Sequence, residues 1–350
     1  MSILQQPIQL GAFELKNRLV MAPLTRCRAS EGRVPNELMA EYYAQRASAG
    51  LILSEATSVN PMGVGYPDTP GLWSAEQVEG WKKVTSAVHE NDGLILAQLW
   101  HVGRISDPSY LNGELPVAPS AIAPDGHVSL IRPQKPFVTP RALTVDEIQA
   151  TIDDYRIAAE HAKEAGFDGV ELHGANGYLP EQFLHSSTNH RTDEYGGPIE
   201  NRARFLLEAL DALISVWGAE RVGLHLSPQG DAHDAGDATP LETYTYLADQ
   251  CRQRGIAFIF LREDLNAAKR LTPVIKEAYG NGVIANQELD KSQAEKLIES
   301  GVADAVSFGR WFIANPDLPE RFAKDAALND ADPNTFYGGG REGYTDYPFL

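Results

Sequence analysis

The sequence predicts an α/β fold, a (β/α)₈ barrel, from two observations. Eight short runs rich in Val, Ile and Leu recur along the 350 residues, and longer segments with helical periodicity and charged outer positions separate them. The strand-like runs are apolar throughout, which indicates burial on both faces. Eight parallel strands with crossover helices close most naturally into a barrel, although the same alternation allows an open doubly wound sheet.

The individual elements follow from this alternation. The predicted strands are Arg18–Met21, Gly50–Ser54, Leu94–Leu99, Gly169–His173, Val222–Leu226, Phe258–Leu261, Gly282–Ala285 and Ala305–Phe308. The predicted helices are Pro35–Ala49, Ala75–Asn91, Val145–Ala165, Asn201–Trp217, Leu241–Arg254, Leu271–Ala278 and Lys291–Ser300. Thr144 followed by Glu147 is a capping-box pattern, which predicts a helix start at about Val145.

Two segments lie outside the alternation. The stretch "IQLGAFEL", residues 8–15, predicts a small hairpin that covers the bottom of the barrel. The segment His101–Ala142 contains seven prolines and little helical pattern, and a loop of this length in a compact domain is usually functional. We therefore expect a single domain over residues 1–350, with residues 101–142 as a lid or insertion over the barrel mouth after the third strand.

Composition excludes several classes of function. The formal net charge of −18 disfavours nucleic-acid binding, which depends on Lys and Arg. No run of 18 apolar residues is present, and the first residues lack the features of a signal peptide. The two cysteines, Cys27 and Cys251, lack Cys-x-x-Cys spacing. We expect a soluble cytoplasmic protein, a monomer or weak homodimer, with small-molecule partners rather than nucleic acid or membrane.

Polar residues cluster where the predicted strands end, which is where barrel enzymes place their active sites. These positions are Pro23–Thr25, Glu55–Thr57, Gln98–His101, His173 with Asn176 and Tyr178, His225, and Gly309 with Arg310. Few carboxylates are among them, so a metal-dependent hydrolase or aldolase is not favoured and no metal is expected.

The stretch "VELHGANGYLPEQF", residues 170–183, suggests a specific chemistry. His173 and Asn176 can aim two hydrogen-bond donors at one carbonyl or nitro oxygen. Tyr178, with an ordinary pKa near ~10, is protonated at neutral pH and can give a proton to carbon beside that oxygen. This pattern indicates an acid for a reduction, although a histidine at a strand end is equally often a structural residue.

Long motifs along the chain resemble one family. They are "MAPLTRCRA" (21–29), "YYAQRASAGLILSEAT" (42–57), "AQLWHVGR" (97–104), "HGANGYLPEQFL" with "RTDEYGG" and "ENRARF" (within 173–205), "FGRWFIANPDLPERF" (308–322) and "FYGGGREGYTDYPFL" (336–350). The sequence closely resembles the Old Yellow Enzyme family of FMN-dependent ene-reductases, and within it the bacterial branch of N-ethylmaleimide and 2-cyclohexenone reductases. The resemblance runs from Pro7 to Leu350.

The resemblance implies an FMN-dependent NAD(P)H oxidoreductase that reduces the C=C bonds of enones, maleimides and nitroalkenes, with FMN bound tightly but non-covalently. The positions that match flavin-binding motifs are Ala22, Pro23, Leu24, Thr25, Ala56, Gln98, Gly309 and Arg310. Thr25 is implied to hydrogen-bond the O4 and N5 side of the flavin, and Gln98 its pyrimidine edge. A turn hydroxyl and a strand-end amide are the structural alternatives.

The resemblance also assigns roles around the substrate. His173 and Asn176 are implied to bind its electron-withdrawing oxygen, and Tyr178 to protonate Cα after hydride transfer from flavin N5 to Cβ. Aromatic positions that wall the pocket are matched by Tyr66, Trp100 and Tyr344 or Tyr337, for which ordinary loop packing is the alternative. No Gly-x-Gly-x-x-Gly fingerprint is present, which fits NADPH or NADH entering the substrate pocket directly.

Two departures from the family pattern stand out. His225, in "RVGLHLSPQG", replaces an arginine that is usual in the family, and it carries a comparable charge only when protonated. In "GVIANQELD", residues 282–290, no glycine follows Ile284 where relatives have a glycine-rich phosphate loop. Asn286 and Gln287 are predicted to hold the FMN phosphate there, with Arg310 as its charged partner, and an ordinary helix N-cap is the alternative.

The His225 departure motivates a second functional class, a catalytically impaired barrel that binds FMN or another ligand as a sensor. A third class shares only the fold: a sugar-phosphate lyase or isomerase.

Overall fold

A closed barrel of eight parallel strands lies at the centre of the computed structural model, which describes residues 2–267 and 269–350. The strands of the described chain are β1 (Ile8–Leu10), β2 (Phe13–Leu15), β3 (Leu19–Met21), β4 (Leu51–Leu53), β5 (Thr57–Ser58), β6 (Ile95–Trp100), β7 (Val117–Ala118), β8 (Arg141–Ala142), β9 (Gly169–His173), β10 (Val222–Leu226), β11 (Phe258–Arg262), β12 (Gly282–Asn286) and β13 (Ala305–Phe308).

The ring runs β3, β4, β6, β9, β10, β11, β12, β13 and back to β3, and every neighbouring pair is parallel. Pairing of β4 with β6 and of β13 with β3 completes the ring. The (β/α)₈ prediction is therefore confirmed, and the open doubly wound sheet is excluded. All eight predicted strands are present, but β11 continues one residue further, to Arg262.

Helices surround the barrel. They are α1 (Glu37–Ala44), α2 (Ala75–His89), α3 (Val145–Glu164), α4 (Leu179–Leu184), α5 (Ile199–Arg202), α6 (Arg204–Trp217), α7 (Pro240–Arg254), α8 (Thr272–Tyr279), α9 (Lys291–Glu299), α10 (Arg310–Ala314) and α11 (Leu318–Ala323). The predicted helix Pro35–Ala49 is observed only over Glu37–Ala44, and Asn36 caps its start by accepting from the backbone of Met39. Within the described residues, no helix is long and apolar enough to cross a membrane.

The hairpin of β1 and β2 closes the amino-terminal end of the barrel, as predicted. Leu10, Phe13 and Leu15 pack against buried side chains of the barrel strands, including Phe258. The backbone N–H of Ala12 donates to the carbonyl of Glu220 at 2.8 Å. Gly11 makes this contact possible, because a Cβ there would lie 2.4 Å from that carbonyl and its φ is +55°.

The long segment after β6 reaches the opposite end of the barrel. Its short strands β7 and β8 pair in parallel, which brings the middle of the segment beside its end. Phe137 packs against a buried cluster that contains Ala56, Trp100 and Val102. The segment therefore lies beside the carboxyl ends of β4 and β6, where the polar residues of the sequence analysis converge.

The predicted capping box at the start of α3 is present. The Thr144 hydroxyl accepts from the backbone of Glu147, and the Glu147 carboxylate accepts from the backbone of Thr144 at 2.8 Å. Arg141 also donates to that carboxylate, and this hydrogen bond is the largest of the effects that lower the pKa of Glu147 to about 2. The capping box therefore satisfies two backbone amides at this end of the helix, those of Thr144 and Glu147.

Thr144→Ala is expected to destabilise the protein by about 1 kcal/mol, because the N-cap acceptor is lost. Equilibrium urea denaturation measures the change in free energy of unfolding. Thr245→Ala is the matched control, since that exposed hydroxyl bonds only to Leu241 of its own helix, and its effect is expected within about 0.5 kcal/mol. Equal effects of the two substitutions would contradict the capping role.

Candidate active site

A cavity of about 910 Å³ opens at the carboxyl ends of the barrel strands. Its lining includes Ala22–Thr25, Asn176, His225, Arg262, Asn286–Asp290 and Ser307–Arg310, together with Tyr337. Nine of the predicted site positions are therefore brought to one space directly by the β3, β10, β12 and β13 ends, and Asn176, after β9, is a tenth. Six other predicted positions lie around this cavity, through the contacts described below, rather than in its wall: Gln98, His173, Tyr178, Tyr66, Trp100 and Ala56.

Strand register places two pairs of polar side chains side by side under the mouth. Gln98 on β6 is opposite Glu171 on β9, and His173 on β9 is opposite His225 on β10. The Gln98 amide donates one hydrogen bond to Glu171 Oε2 at 2.8 Å, and its other N–H faces His225 Nδ1 at 3.0 Å. The four side chains form a continuous buried layer.

Glu171 is uncharged in this layer at neutral pH. Its carboxyl group is completely buried, and burial raises its pKa to about 8, while the Gln98 hydrogen bond opposes that shift. Oε1 has no hydrogen-bond partner among the described residues. No cation among them pairs with Glu171, which explains why the neutral acid is favoured.

His225 is also uncharged. Burial, followed by the proximity of His173 and Arg262, lowers its pKa well below the ordinary value. Because the Gln98 amide nitrogen can only donate, His225 Nδ1 accepts and the proton resides on Nε2. The structure thus favours the neutral form of His225 over the protonated form, and Nε2 has no hydrogen-bond partner in the part of the chain that the structure describes.

His173 lies against His225, with ring centroids 5.0 Å apart and an interplanar angle of 11°. Burial, with a smaller contribution from Arg262, lowers the pKa of His173 to about 3. Its Nδ1 accepts from the backbone of Ala175, which leaves the proton on Nε2. His173 is therefore a neutral N–H donor at the end of β9.

Asn176 is held in a fixed orientation by three groups. Its backbone has a φ of +59° and donates to the Ser227 hydroxyl at 2.8 Å. Its side-chain oxygen accepts from Arg262 at 2.8 Å, so the amide NH₂ is left to donate elsewhere. The Ser227 hydroxyl in turn donates to the buried carboxylate of Glu181 at 2.8 Å.

Glu181 anchors the turn that carries the predicted site residues. Besides Ser227, its carboxylate accepts from the backbone of Gly177 and from the Tyr244 hydroxyl. Both oxygens are inside the protein, where unpaired acceptors would be costly. The turn 174–178 is therefore fixed from below through one carboxylate on α4.

Tyr178 follows in the same turn and contacts the other aromatic residues of the site. Its ring meets Trp100 and His173 edge to face, with centroids 5.1 and 5.0 Å away. Its hydroxyl lies 2.8 Å from the Tyr66 hydroxyl. Burial first, and Tyr66 second, raise the pKa of Tyr178 well above its ordinary value, so the phenol is protonated at neutral pH.

The prediction for Tyr344 as a wall of the pocket is wrong. Tyr344 is completely buried and stacks on Tyr42 with centroids 4.0 Å apart. The guanidinium of Arg28 lies 4.3 Å from its ring centroid, so Tyr344 packs against the amino-terminal part of the chain and is not in the cavity wall. Tyr337, the other candidate, does line the cavity.

The loop assigned to phosphate has an unusual backbone. Gln287 has a φ of +113° and Glu288 one of +49°, conformations that favour glycine. Glu288 accepts from Arg310 at 2.8 Å, and both side chains are about two-thirds exposed, at 70% and 68%. Asn286 donates to the carbonyl of Ser307. The predicted phosphate partner Arg310 is thus paired with a carboxylate of the same loop.

The remaining cofactor positions are Thr25, Gly309 and Ala56. Thr25 lies half-buried in the cavity wall, and Gly309 packs close to Leu24, where a Cβ would come within 3.1 Å. Ala56 is buried beside Trp100. Among the described residues, no group of three or more His, Cys, Asp or Glu side chains is arranged to hold a metal ion.

Sequence reasoning missed Glu171, Glu181, Ser227 and Arg262. Glu171 carries a readable signal, because it is two residues before His173 in the same strand and points to the same side. Arg262 ends an apolar run, which is the position where barrels place functional residues. Glu181 and Ser227 act only through the folded turn, and their pairing has no signal in the sequence.

Comparison with known proteins identifies the family. Residues 3–329 match the model of the NADH:flavin oxidoreductase / NADH oxidase family. The chain belongs to this family.

Two solved structures and one curated relative agree with this assignment. An Old Yellow Enzyme homologue from Zymomonas mobilis is 47% identical, with a TM-score of 0.96 and 99% of each chain covered. Morphinone reductase in complex with tetrahydroNAD is 49% identical, with a TM-score of 0.96, and the match covers 99% of this chain and 97% of that one. A probable flavin mononucleotide-dependent alkene reductase of Leishmania infantum is 44% identical over 99% of this chain and 98% of the relative.

The protein is therefore an FMN-dependent oxidoreductase of the Old Yellow Enzyme type, and the lyase or isomerase alternative is excluded. The residues present fit the ring of FMN. His225 Nε2 and the Ser307 hydroxyl both lack hydrogen-bond partners within the described chain, and both residues line the cavity. These two groups suit a planar polar ligand such as the flavin ring. In contrast, the part of the cavity assigned to the phosphate contains the carboxylate of Glu288.

Glu171→Gln is expected to change how stability depends on pH. The folded pKa of about 8 exceeds the ordinary value of 4.5, so between these pH values only the folded state keeps the proton and stability falls as pH rises. Glutamine mimics the neutral acid and removes this dependence. In urea denaturation of the FMN-free protein, the variant's advantage should grow from pH 5 to pH 8 by up to about 1.4 kcal/mol per unit.

Glu55, whose burial raises its pKa to about 7, is present in both proteins and cancels in the difference. A difference that does not vary with pH would contradict the buried neutral state of Glu171.

Proposed function

We propose that this enzyme reduces the activated C=C bonds of small enones, maleimides and nitroalkenes, with NADPH or NADH as reductant. The observation that supports the proposal is the grouping of two neutral N–H donors, on His173 and Asn176, with the protonated phenol of Tyr178. The two N–H donors can bind the oxygen acceptor of the substrate, and the phenol can protonate the neighbouring carbon.

FMN, when bound, would supply the hydride chemistry that connects the reduced nicotinamide to the alkene. The residues that would hold its ring are Ala22–Thr25, Ala56, Gln98, His225 and Gly309. Gln98 and His225 are suited to the pyrimidine edge, since one offers an amide and the other a neutral N–H. Asn286, Gln287 and Arg310 would hold the phosphate.

His173 and Asn176 would bind the carbonyl or nitro oxygen of the substrate. Both donors are fixed before the substrate arrives, His173 by the stacked rings of Trp100 and His225 and Asn176 by Arg262 and Ser227. Preorganised donors stabilise the negative charge that develops on such an oxygen, and they act most strongly where water is excluded.

Tyr178 would donate the proton to carbon. Its raised pKa keeps the phenol protonated over the whole neutral range, and its 2.8 Å contact with Tyr66 gives it a neighbouring hydroxyl from which the proton is replaced. Tyr66, Trp100 and Tyr337 would wall the substrate pocket. The segment 101–142 would cover it as a lid within a single domain, through the packing of Phe137 beside Trp100.

One observation favours the second candidate, a catalytically impaired barrel that binds FMN or another ligand as a sensor. The Glu288 carboxylate pairs with Arg310, which opposes binding of a phosphate at the same loop. The two functions differ in whether reduced protein passes its electrons to an alkene.

We further propose that the enzyme works in the cytoplasm as a monomer or weak homodimer, without nucleic-acid or membrane partners. The net charge of −18 supports the absence of nucleic-acid partners, because an acidic protein repels phosphate backbones.

The test begins with anaerobic reduction of the FMN-loaded protein. NADPH should bleach the flavin absorption, and 2-cyclohexenone or N-ethylmaleimide should restore it. Bleaching without reoxidation by either alkene would support the sensor instead.

Tyr178→Phe should spare the reductive half-reaction and slow reoxidation by 2-cyclohexenone by about 10²–10⁴-fold, because only the proton donor is lost. Stopped-flow absorbance measures both steps separately. Tyr246→Phe, a substitution at a half-buried position of α7 that does not line the cavity, is the control and should leave both rates unchanged. If both half-reactions slowed equally in Tyr178→Phe, the role of Tyr178 in proton transfer would be wrong.

Glu288→Gly should tighten FMN binding by about fivefold, because Arg310 is released from a surface ion pair worth up to about 1 kcal/mol. Fluorescence titration of the FMN-free protein measures the dissociation constant. Riboflavin, which has no phosphate, should bind equally to the variant and the parent protein. Glu288→Gln separates loss of charge from relief of the backbone. Unchanged FMN affinity in both variants would place the phosphate elsewhere.

A further inference from the structure

The charge distribution around the cavity is unusual. Glu171, His173, Tyr178 and His225 are all held in their neutral forms by burial, as described above. Two cations line the cavity among the described residues, Arg262 and Arg310. Arg310 is paired with Glu288.

Arg262 has no such carboxylate partner. Its guanidinium donates to two neutral oxygens, the side-chain carbonyls of Asn176 at 2.8 Å and Gln287 at 2.7 Å. Within the described residues, no Asp or Glu oxygen forms a salt bridge with it; neighbouring Glu263 is directed to the backbone of Leu271 and Thr272. Arg262 therefore keeps an uncompensated positive charge at the cavity.

The two hydrogen bonds also locate this charge. Asn176 follows β9 and Gln287 follows β12, while Arg262 itself ends β11. In the ring, β10 lies between β9 and β11, so a guanidinium that reaches Asn176 from β11 extends across the end of β10. His225 is on that strand, and both His225 and His173 have pKa values lowered by Arg262.

We propose that Arg262 is the fixed positive charge of this active site. It stabilises FMN in its anionic reduced state, and it is the positioning residue that turns the Asn176 amide nitrogen toward the substrate oxygen. The first role follows from Coulomb attraction between a permanent cation and the charge that the ring gains on reduction. The second follows from the hydrogen bond to the Asn176 oxygen, which leaves only the NH₂ group available. The inference rests on the proposed function.

The test uses Arg262→Gln and Arg262→Lys in the FMN-loaded protein, with Arg252→Gln as control. Arg252 is an exposed arginine of α7 that pairs with Asp249 and does not line the cavity. Arg262→Gln should weaken binding of reduced FMN about tenfold relative to oxidised FMN. For a two-electron couple this lowers the midpoint potential by about 30 mV. Arg252→Gln should leave it unchanged.

Arg262→Lys and one further variant, a double substitution, separate the two roles. Arg262→Lys keeps the charge but loses the forked hydrogen bonds, so it should retain the potential and weaken the affinity for a phenol, a ligand whose oxygen the donors of His173 and Asn176 would bind. His225→Arg combined with Arg262→Gln should restore the potential, because a permanent charge returns to the end of β10. The phenol affinity is read from the absorption change on titration of the oxidised protein.

A phosphate role for Arg262 would give a different result. If Arg262→Gln weakened binding of FMN but not of riboflavin and left the potential unchanged, the proposed charge on the ring would be wrong. Equal midpoint potentials in Arg262→Gln and Arg252→Gln would also overturn the proposed charge on the ring. Unchanged phenol affinity in Arg262→Lys would overturn the positioning role. Failure of the parent protein to bind FMN at all would instead refute the proposed function.

Discussion

Exclusion of water under the barrel mouth determines the chemistry of this site. Strands buried on both faces place Glu171, His173 and His225 where an ion would lose its hydration without gaining a counter-ion. Each of these groups therefore adopts its neutral form, and so does the Tyr178 phenol. A carboxylic acid, two imidazoles and a phenol are converted by the same constraint into hydrogen-bond donors and acceptors of fixed orientation.

The turn after β9 shows how the fold transmits this constraint to the substrate side. One carboxylate, Glu181, accepts from a backbone amide and two hydroxyls, and Ser227 passes the constraint on to Asn176. The turn is thus connected to β10 and α7 as well as to its own helix. Because buried acceptors that lose a partner are costly, movement of this turn is opposed by several hydrogen bonds at once.

Much of the fold is readable in the sequence because strands buried on both faces are continuous apolar runs. The eight barrel strands were predicted to within one or two residues for this reason. The end of β11 was placed one residue early because Arg262 interrupts the apolar run, and a functional residue was missed with it. The short helix α4 was also missed, since all six of its residues are buried and no helical periodicity results.

The candidate site was predictable in position but not in charge. His173, Asn176 and Tyr178 are polar residues at a strand end, a pattern that barrels make informative. Tyr344 shows what the sequence does not reveal. An aromatic residue in the carboxyl-terminal segment can face a cavity or stack on another ring, and in the folded chain Tyr344 stacks on Tyr42. The neutral state of His225 depends likewise on burial and on Arg262, which adjoins it only in the folded chain.

The hairpin at the amino-terminal end of the barrel affects the order in which ligands enter and leave the cavity at the opposite end. Leu10, Phe13 and Leu15 fill the amino-terminal end, so a molecule that comes near His225 arrives by the mouth and departs by the same path. Because the cavity has this one path, the molecule that enters last must leave first. A large ligand retained under Tyr337 and the segment 127–134 would therefore also delay the exchange of anything bound more deeply.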